Sequence, residues 1–398
     1  MFFFLILFMP RSFEILPVVS VLYSKMFPVH CVVFLIAIIL SATTGFKNLK
    51  NIVTLGTLAF ILTGVIVAFL HGGDYKLLFR AIVHLLSVLL LVSYELNRKD
   101  NCFLEACAWF FTAMLVINLV FLILKPEGLG EIATYSADKQ FRQIDRINFL
   151  EVDNRLSLPT LIAIATAYLL PDKKINKVLR ITALVTGGAT NLLTMSGTGI
   201  GSYFVMLVYV LFIHKSKIRS KFVNVKTLLF AYFICMLLIV YAGMIPPLAH
   251  ISQSVLHKDL TFSGRTFIWE MCIERISKHP VIGYGNFDNG WIIMWHGITR
   301  NAHNLFFDIL IQGGIVLLTG YLTMVFTVFK TISDDKDKRK GILLVFLFCL
   351  FVVMLCESFL DNNYIFLAFS LSLLCKYNSS GKQKVLELLK KKKLKLKA

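Results

Sequence analysis

One polar island, from Ser263 to Gly314, holds the residues that could do chemistry: Arg265, Glu270, Glu274, Arg275, His279, Asp288, Arg300 and His303, with Tyr284, Trp291 and Trp295 among them. An arginine grips a phosphate through two parallel N–H donors and keeps its proton at any physiological pH. A histidine takes up or releases a proton near neutrality. Tyrosine and tryptophan offer flat faces to sugar rings. The set suits a phosphorylated lipid that carries a saccharide.

The order of residues says how they would be held. Ser263 can cap a helix that starts at Gly264. Pro280 ends it, because the residue before a proline disfavours helix. On that helix Arg265, Trp269, Cys272 and Ile276 fall on one stripe. Gly283-Tyr284-Gly285 predicts a tight turn whose backbone N–H groups can approach a ligand. His303 and Asn304 open the next apolar run, at a helix N-terminus whose partial positive charge favours an anion. Each residue has a plainer use as well. Arg265 could pair with Glu270 or Asp288, His303 could be a cap, and the three aromatics could be interfacial anchors.

The elements around the island belong to a membrane. Of 398 residues 57% are hydrophobic and only 16% charged, with mean hydropathy +0.75. A soluble domain has about 25% charged residues. Apolar runs long enough for a bilayer recur at roughly 2–23, 29–43, 52–70, 77–95, 102–124, 156–170, 178–195, 199–213, 228–247, 304–329, 341–356 and 364–376. The fold class is therefore all-α, a polytopic membrane protein of about twelve spans forming one integral domain over 1–398. The N-terminal run lacks a basic lead and a small-residue cleavage site, so it reads as a first span and not as a removed signal.

The net charge of +18 collects in short connections, at Lys173 and Lys174, at Lys215 to Lys226, at Lys336 to Lys340, and in the tail over 377–398. Such clusters mark the cytoplasmic side and not nucleic-acid binding. With twelve spans they all fall on one side, with both termini. The tail is a topology anchor or a short amphipathic helix on the inner leaflet. Two long segments then face outward, about 125–155 and 248–303. The first is nearly neutral, its bases Lys125, Lys139, Arg142, Arg146 and Arg155 facing six acids. No CxxC pair occurs, so the cysteines suggest neither a zinc site nor a disulfide framework. Within the spans, Arg80 and His84 lie one helical turn apart, either on a substrate path or as an internal pair.

The ordered set Ser263-Gly264-Arg265, Trp269, His279-Pro280-Val281-Ile282-Gly283-Tyr284-Gly285, Ala302-His303-Asn304 and Gly313-Gly314 resembles the core of the O-antigen ligase and polymerase family. The layout of spans with a large late outer loop extends the resemblance over most of the chain. Arg146 followed by Asp153-Asn154 is similar to the family's Arg…Asn element. Thr194-Met195-Ser196-Gly197-Thr198-Gly199 resembles its Thr-x-Ser-Arg-Gly turn, but Gly197 stands where many members have arginine. That charge is then missing or comes from Arg142, Arg146 or Arg300.

The resemblance implies a membrane glycosyltransferase with a GT-C-like fold in the cytoplasmic membrane of a bacterium. It would take a saccharide from undecaprenyl pyrophosphate, invert the anomeric centre, and need no metal or other cofactor. Arg265 and Arg146 would hold the pyrophosphate, and His303 the acceptor or the bridging phosphate. Asn304, Gly283, Gly285, Tyr284, Trp269, Arg142 and Arg300 are the remaining substrate-binding candidates, and Glu357 and Asp361 are outside candidates for the base. Membrane lipid, a chain-length regulator and a flippase are the implied partners. Three functions stay open: a polymerase of lipid-linked repeat units, a ligase that moves a finished glycan to its acceptor, and a flippase. The last is disfavoured, since the charges gather in two outer segments and leave most spans apolar.

Overall fold

Apolar runs become helices here because a backbone inside a bilayer must satisfy its own hydrogen bonds. The structure, a computed structural model, describes residues 2–10, 12–15, 20–21, 25–46, 49–71, 74–98, 101–135, 142–216, 223–241, 265–285, 293–295, 298–300, 302–333, 339–358 and 363–373. Arg142, Arg265 and Arg300 are among several that are described at the backbone only. The helices are α1 (Met26–Thr43), α2 (Ile52–His71), α3 (Tyr75–Arg98), α4 (Cys102–Leu124), α5 (Ser157–Leu169) and α6 (Lys174–Leu193). They continue with α7 (Gly197–Val208), α8 (Val225–Tyr241), α9 (Arg265–Lys278), α10 (Leu305–Ser333), α11 (Lys340–Met354) and α12 (Asn363–Ser370).

Five of these, α1 to α4 and α10, are long and apolar enough to cross a membrane, and three shorter apolar helices lie at Gly197–Ile213, Val225–Ile239 and Lys340–Met354. The chain is a multi-pass membrane protein. The run at 2–23 is not one helix. Phe2–Phe8 form a 3-10 helix and Ser12–Ile15 a separate turn. Pro10 divides them: it has no N–H to give and drives the residue before it out of the helical region.

The centre of the bundle is α5 with α11. Nearly every side chain of α5 is buried, Thr160 and Thr166 included, and α11 is buried along most of its length. Helices α1 and α2 keep faces such as Leu35, Ile39, Leu62 and Phe69 exposed, as lipid contact requires. Helix α2 lies close along α10, with no room for a Cβ at Gly56 against Thr327 or at Gly320 against Thr63. Small residues let membrane helices approach in this way. The expected internal position of His84 holds: its Nε2 lies 2.7 Å from Nδ1 of His30 on α1.

Two short antiparallel ribbons are added to the helical core. β1 (Gly130–Tyr135) pairs with β2 (Arg142–Ile147) from Gly130↔Ile147 to Tyr135↔Arg142. β3 (Ile293–Trp295) pairs with β4 (Ile298–Arg300). Both fall in the segments read from the sequence as lying outside the bilayer. There a ribbon gives the backbone the partners that a helix would otherwise supply.

Helix α10 is broken. Gly314 has φ 57° and ψ −154° inside it, a region that in practice only glycine occupies. The segment after α9 is laid into the break. The Tyr284 and Gly285 amides donate to the Ile311 and Gln312 carbonyls at 2.8 Å, and the Ile315 and Val316 amides donate back to Pro280 (2.9 Å) and Val281 (3.1 Å). The carbonyls that the break strips of helical partners thus gain new ones, and α9 is fixed to α10.

Candidate functional site

Helix α9, described from Arg265, stops at Lys278, just before Pro280, as the proline dictates. Its apolar stripe is buried: Trp269 and Cys272 pack with Ala302 and Ile311, and Phe307 lies against them. Burial pushes the Cys272 thiol up to about 12, so it stays a neutral thiol and no nucleophile. The indole Nε1 of Trp269 donates to the Ala302 carbonyl at 3.1 Å, and its ring meets Phe307 edge-on at 6.1 Å. Trp269 therefore pins the residue before His303.

Asn304 is the cap of α10. Its Oδ1 accepts the Phe306 amide at 2.9 Å and the Phe307 amide at 3.2 Å, while Nδ2 donates to the Leu355 carbonyl at 3.1 Å. Both ends of the amide are thus spent within the chain, on the helix and on the end of α11.

His303 lies between these two pins with φ 46°. For a residue with a Cβ, such a left-handed conformation costs about 1–3 kcal/mol and persists only where the surroundings impose it. Its Nδ1 lies 3.5 Å from Oε2 of Glu357, whose side chain is 3% exposed against 27% for the imidazole. A carboxylate on one ring nitrogen favours a proton there and leaves the other nitrogen to accept one. One turn into α10, Asp308 is buried. Its Oδ1 accepts the Ala302 amide at 2.9 Å, its carboxylate bonds the Ser358 side chain, and the charge of Arg155 acts on it. The site thus brings together α9, the 302–304 turn and the end of α11, and the charge of Arg155, on the 3-10 turn Asp153–Arg155, acts on it.

Arg146 lies on that last element's side. Its Nε donates to Asp153 at 3.1 Å and its Nη1 to the Pro126 carbonyl at 2.8 Å, and the side chain is 32% exposed. Asn148 also donates to Asp153 at 2.8 Å. Two of the guanidinium's donor groups therefore shape their own loop.

The glycines sit elsewhere. Gly283 and Gly285 have φ 63° and 106°, but the turn serves the break in α10. A Cβ at Gly283 would lie 2.5 Å from the Ile311 carbonyl oxygen. Tyr284 is boxed in as well: its hydroxyl donates to the Arg275 carbonyl at 3.1 Å, and the Arg275 guanidinium lies 5.8 Å over its ring. Arg265 begins α9, Arg142 begins β2 and Arg300 ends β4. Ser263, Gly264, Asp288, Trp291 and Asp361 lie outside the described residues. In the turn before α7, Ser196 accepts the Gly199 amide at 3.3 Å and caps the helix, with Gly197 as its first residue. Sequence reasoning missed Asp308 and Ser358, and it had Arg155 only as one charge of a loop. An acid inside an apolar span is costly, and that signal was available for Asp308.

Trp269→Phe keeps the ring but removes the N–H that reaches Ala302. Leaving that buried carbonyl without its donor is expected to cost about 1–3 kcal/mol, read as a lower unfolding temperature of purified protein. An unchanged unfolding temperature would count against the pin.

No curated protein matches the chain. A family described as O-antigen ligase matches residues 182–322, from within α6 through α9 and the 302–304 turn to the middle of α10. Over that stretch the chain is similar to the O-antigen ligase family, in agreement with the resemblance carried by the ordered residues from Ser263 to Gly314.

Proposed function

We propose that the protein is a polymerase that joins undecaprenyl-pyrophosphate-linked oligosaccharide repeat units into a surface polysaccharide at the outer face of the cytoplasmic membrane. The observation that carries this is His303, forced into a left-handed conformation between Trp269 and Asn304 with Glu357 behind its Nδ1. With the Nδ1 proton facing Glu357, Nε2 accepts the proton of the acceptor hydroxyl. The hydroxyl oxygen attacks the anomeric carbon from the face opposite the leaving group. The bond from that carbon to the pyrophosphate oxygen breaks, and its electron pair leaves with undecaprenyl pyrophosphate. The configuration inverts.

Arg265 at the start of α9 and Arg146 beside Asp153 meet the charge on the departing pyrophosphate, with Arg142 and Arg300 on the same loops. No metal is needed in this scheme. Preorganised donors of this sort are worth roughly 3–4 kcal/mol each. With the segments 125–155 and 248–303 outside, as the charge pattern of the sequence implies, all four arginines and His303 lie on one face of the membrane.

A second reading, a ligase that transfers a finished lipid-linked glycan to a lipid, protein or wall acceptor, is favoured by the description of the matching family. Deleting the gene and resolving lipid-linked glycans and surface polysaccharide on a gel decides between them. Single repeat units that accumulate outside, with long chains lost, are the expected result. Long chains that form on undecaprenyl pyrophosphate but never reach an acceptor would make the protein a ligase. Units held on the cytoplasmic side alone would make it a flippase.

A further inference from the structure

A buried carboxylate in the first turn of an apolar helix needs partners, since burying its charge is costly unless they offset it. Asp308 is such a group. It is not needed to start α10, because Asn304 already caps the Phe306 and Phe307 amides. Its Oδ1 reaches backward instead, to the amide of Ala302, immediately before His303. The carbonyl of the same residue is taken by Trp269. The peptide groups on both sides of Ala302 are therefore held by two side chains from two helices, and the left-handed twist falls on the next residue. The carboxylate also bonds Ser358, the neighbour of Glu357, and it faces the charge of Arg155.

We propose that Asp308 is a positioning residue: it locks the strained turn at His303 and ties that turn to Ser358 and Arg155, so that the imidazole keeps its station against Glu357. This rests on the reading of His303 as the proton acceptor. An asparagine could still accept from Ala302, so the hydrogen bond alone does not require an acid. The charge answers to Arg155, which belongs to a different loop from the 302–304 turn.

The test uses the purified full-length protein in lipid nanodiscs with lipid-linked oligosaccharide, and compares Asp308→Ala, Asp308→Asn, His303→Ala and the Asp308→Ala/His303→Ala double variant. A small misplacement of a catalytic group costs about 100-fold in rate, so Asp308→Ala is expected to lower kcat by about that factor while KM moves less than about twofold. Asp308→Asn, which keeps the acceptor and the volume, is expected to recover about tenfold of this loss at a wild-type unfolding temperature. In the His303→Ala background Asp308→Ala is expected to cost nothing more.

The second readout does not depend on activity. The rate at which diethyl pyrocarbonate modifies His303, followed by peptide mass spectrometry, is expected to change several-fold in Asp308→Asn, while that of exposed His279 stays the same. Wild-type kcat in both Asp308 variants, a loss confined to KM, or an unaltered His303 modification rate would overturn the proposal. Full activity of His303→Ala would instead remove the reading on which it rests, whatever Asp308 does.

Discussion

His303→Ala is expected to abolish polymer while the protein still inserts at its normal level. Loss of a positioned general base costs about 100- to 10,000-fold in rate, far more than the few-fold changes that a surface contact brings. The conformation of the residue supplies a control that the chemistry cannot mimic. At φ 46° alanine is as strained as histidine, whereas glycine takes left-handed angles without penalty. His303→Gly is thus expected to fold at least as well as the wild type and to be as inactive as His303→Ala. If glycine restored polymer, the alanine variant would have failed by misfolding, and the imidazole would have no part in the mechanism. Glu357→Gln keeps the shape of the partner 3.5 Å from Nδ1 and removes only its charge. A loss intermediate between wild type and His303→Ala is expected, carried by kcat.

Local residues of this site were legible where the chemistry is local. His303 and Asn304 read as the opening of an apolar helix, Pro280 reads as a stop, and the spacing of Trp269, Cys272 and Ile276 reads as one stripe; the structure has all three. What escaped depends on contacts between distant parts of the chain. Glu357 reaches His303 from the end of another helix, and no spacing rule connects the two. Asp308 could be flagged as an acid in an apolar run, but its target, an amide six residues back, lies in the turn before the helix.

The glycines of Gly283-Tyr284-Gly285 were read as room for a ligand. The room is real, but the backbone of α10 fills it. Length alone also misjudged the N-terminal run, where one proline outweighs its apolar neighbours and splits it.

The largest expected effect on stability comes from Gly314→Ala. Two separate costs meet there. Its backbone, at φ 57° and ψ −154°, lies in a region closed to residues with a Cβ, at about 1–3 kcal/mol. A Cβ built on it also runs into the carbonyl of Val281 and the amide of Ile282. These are backbone atoms held by the ladder between 280–285 and 311–316, and they cannot swing aside as a side-chain end can. Forcing atoms into such a packed contact adds about 1–3 kcal/mol, so a loss of about 3–5 kcal/mol is expected in all.

That loss rivals the whole stability of many domains, and the variant is expected to unfold at a much lower temperature or to fail to accumulate. Gly201→Ala is the matched control: a Cβ there meets nothing within 4 Å, and the variant is expected to unfold at the wild-type temperature or above. If Gly314→Ala matched Gly201→Ala in unfolding temperature, the break in α10 and the segment laid into it would not be the joint that fixes α9. The placement of Trp269 beneath the 302–304 turn would then need another support, because nothing else on that helix crosses to α10 by backbone hydrogen bonds among the described residues.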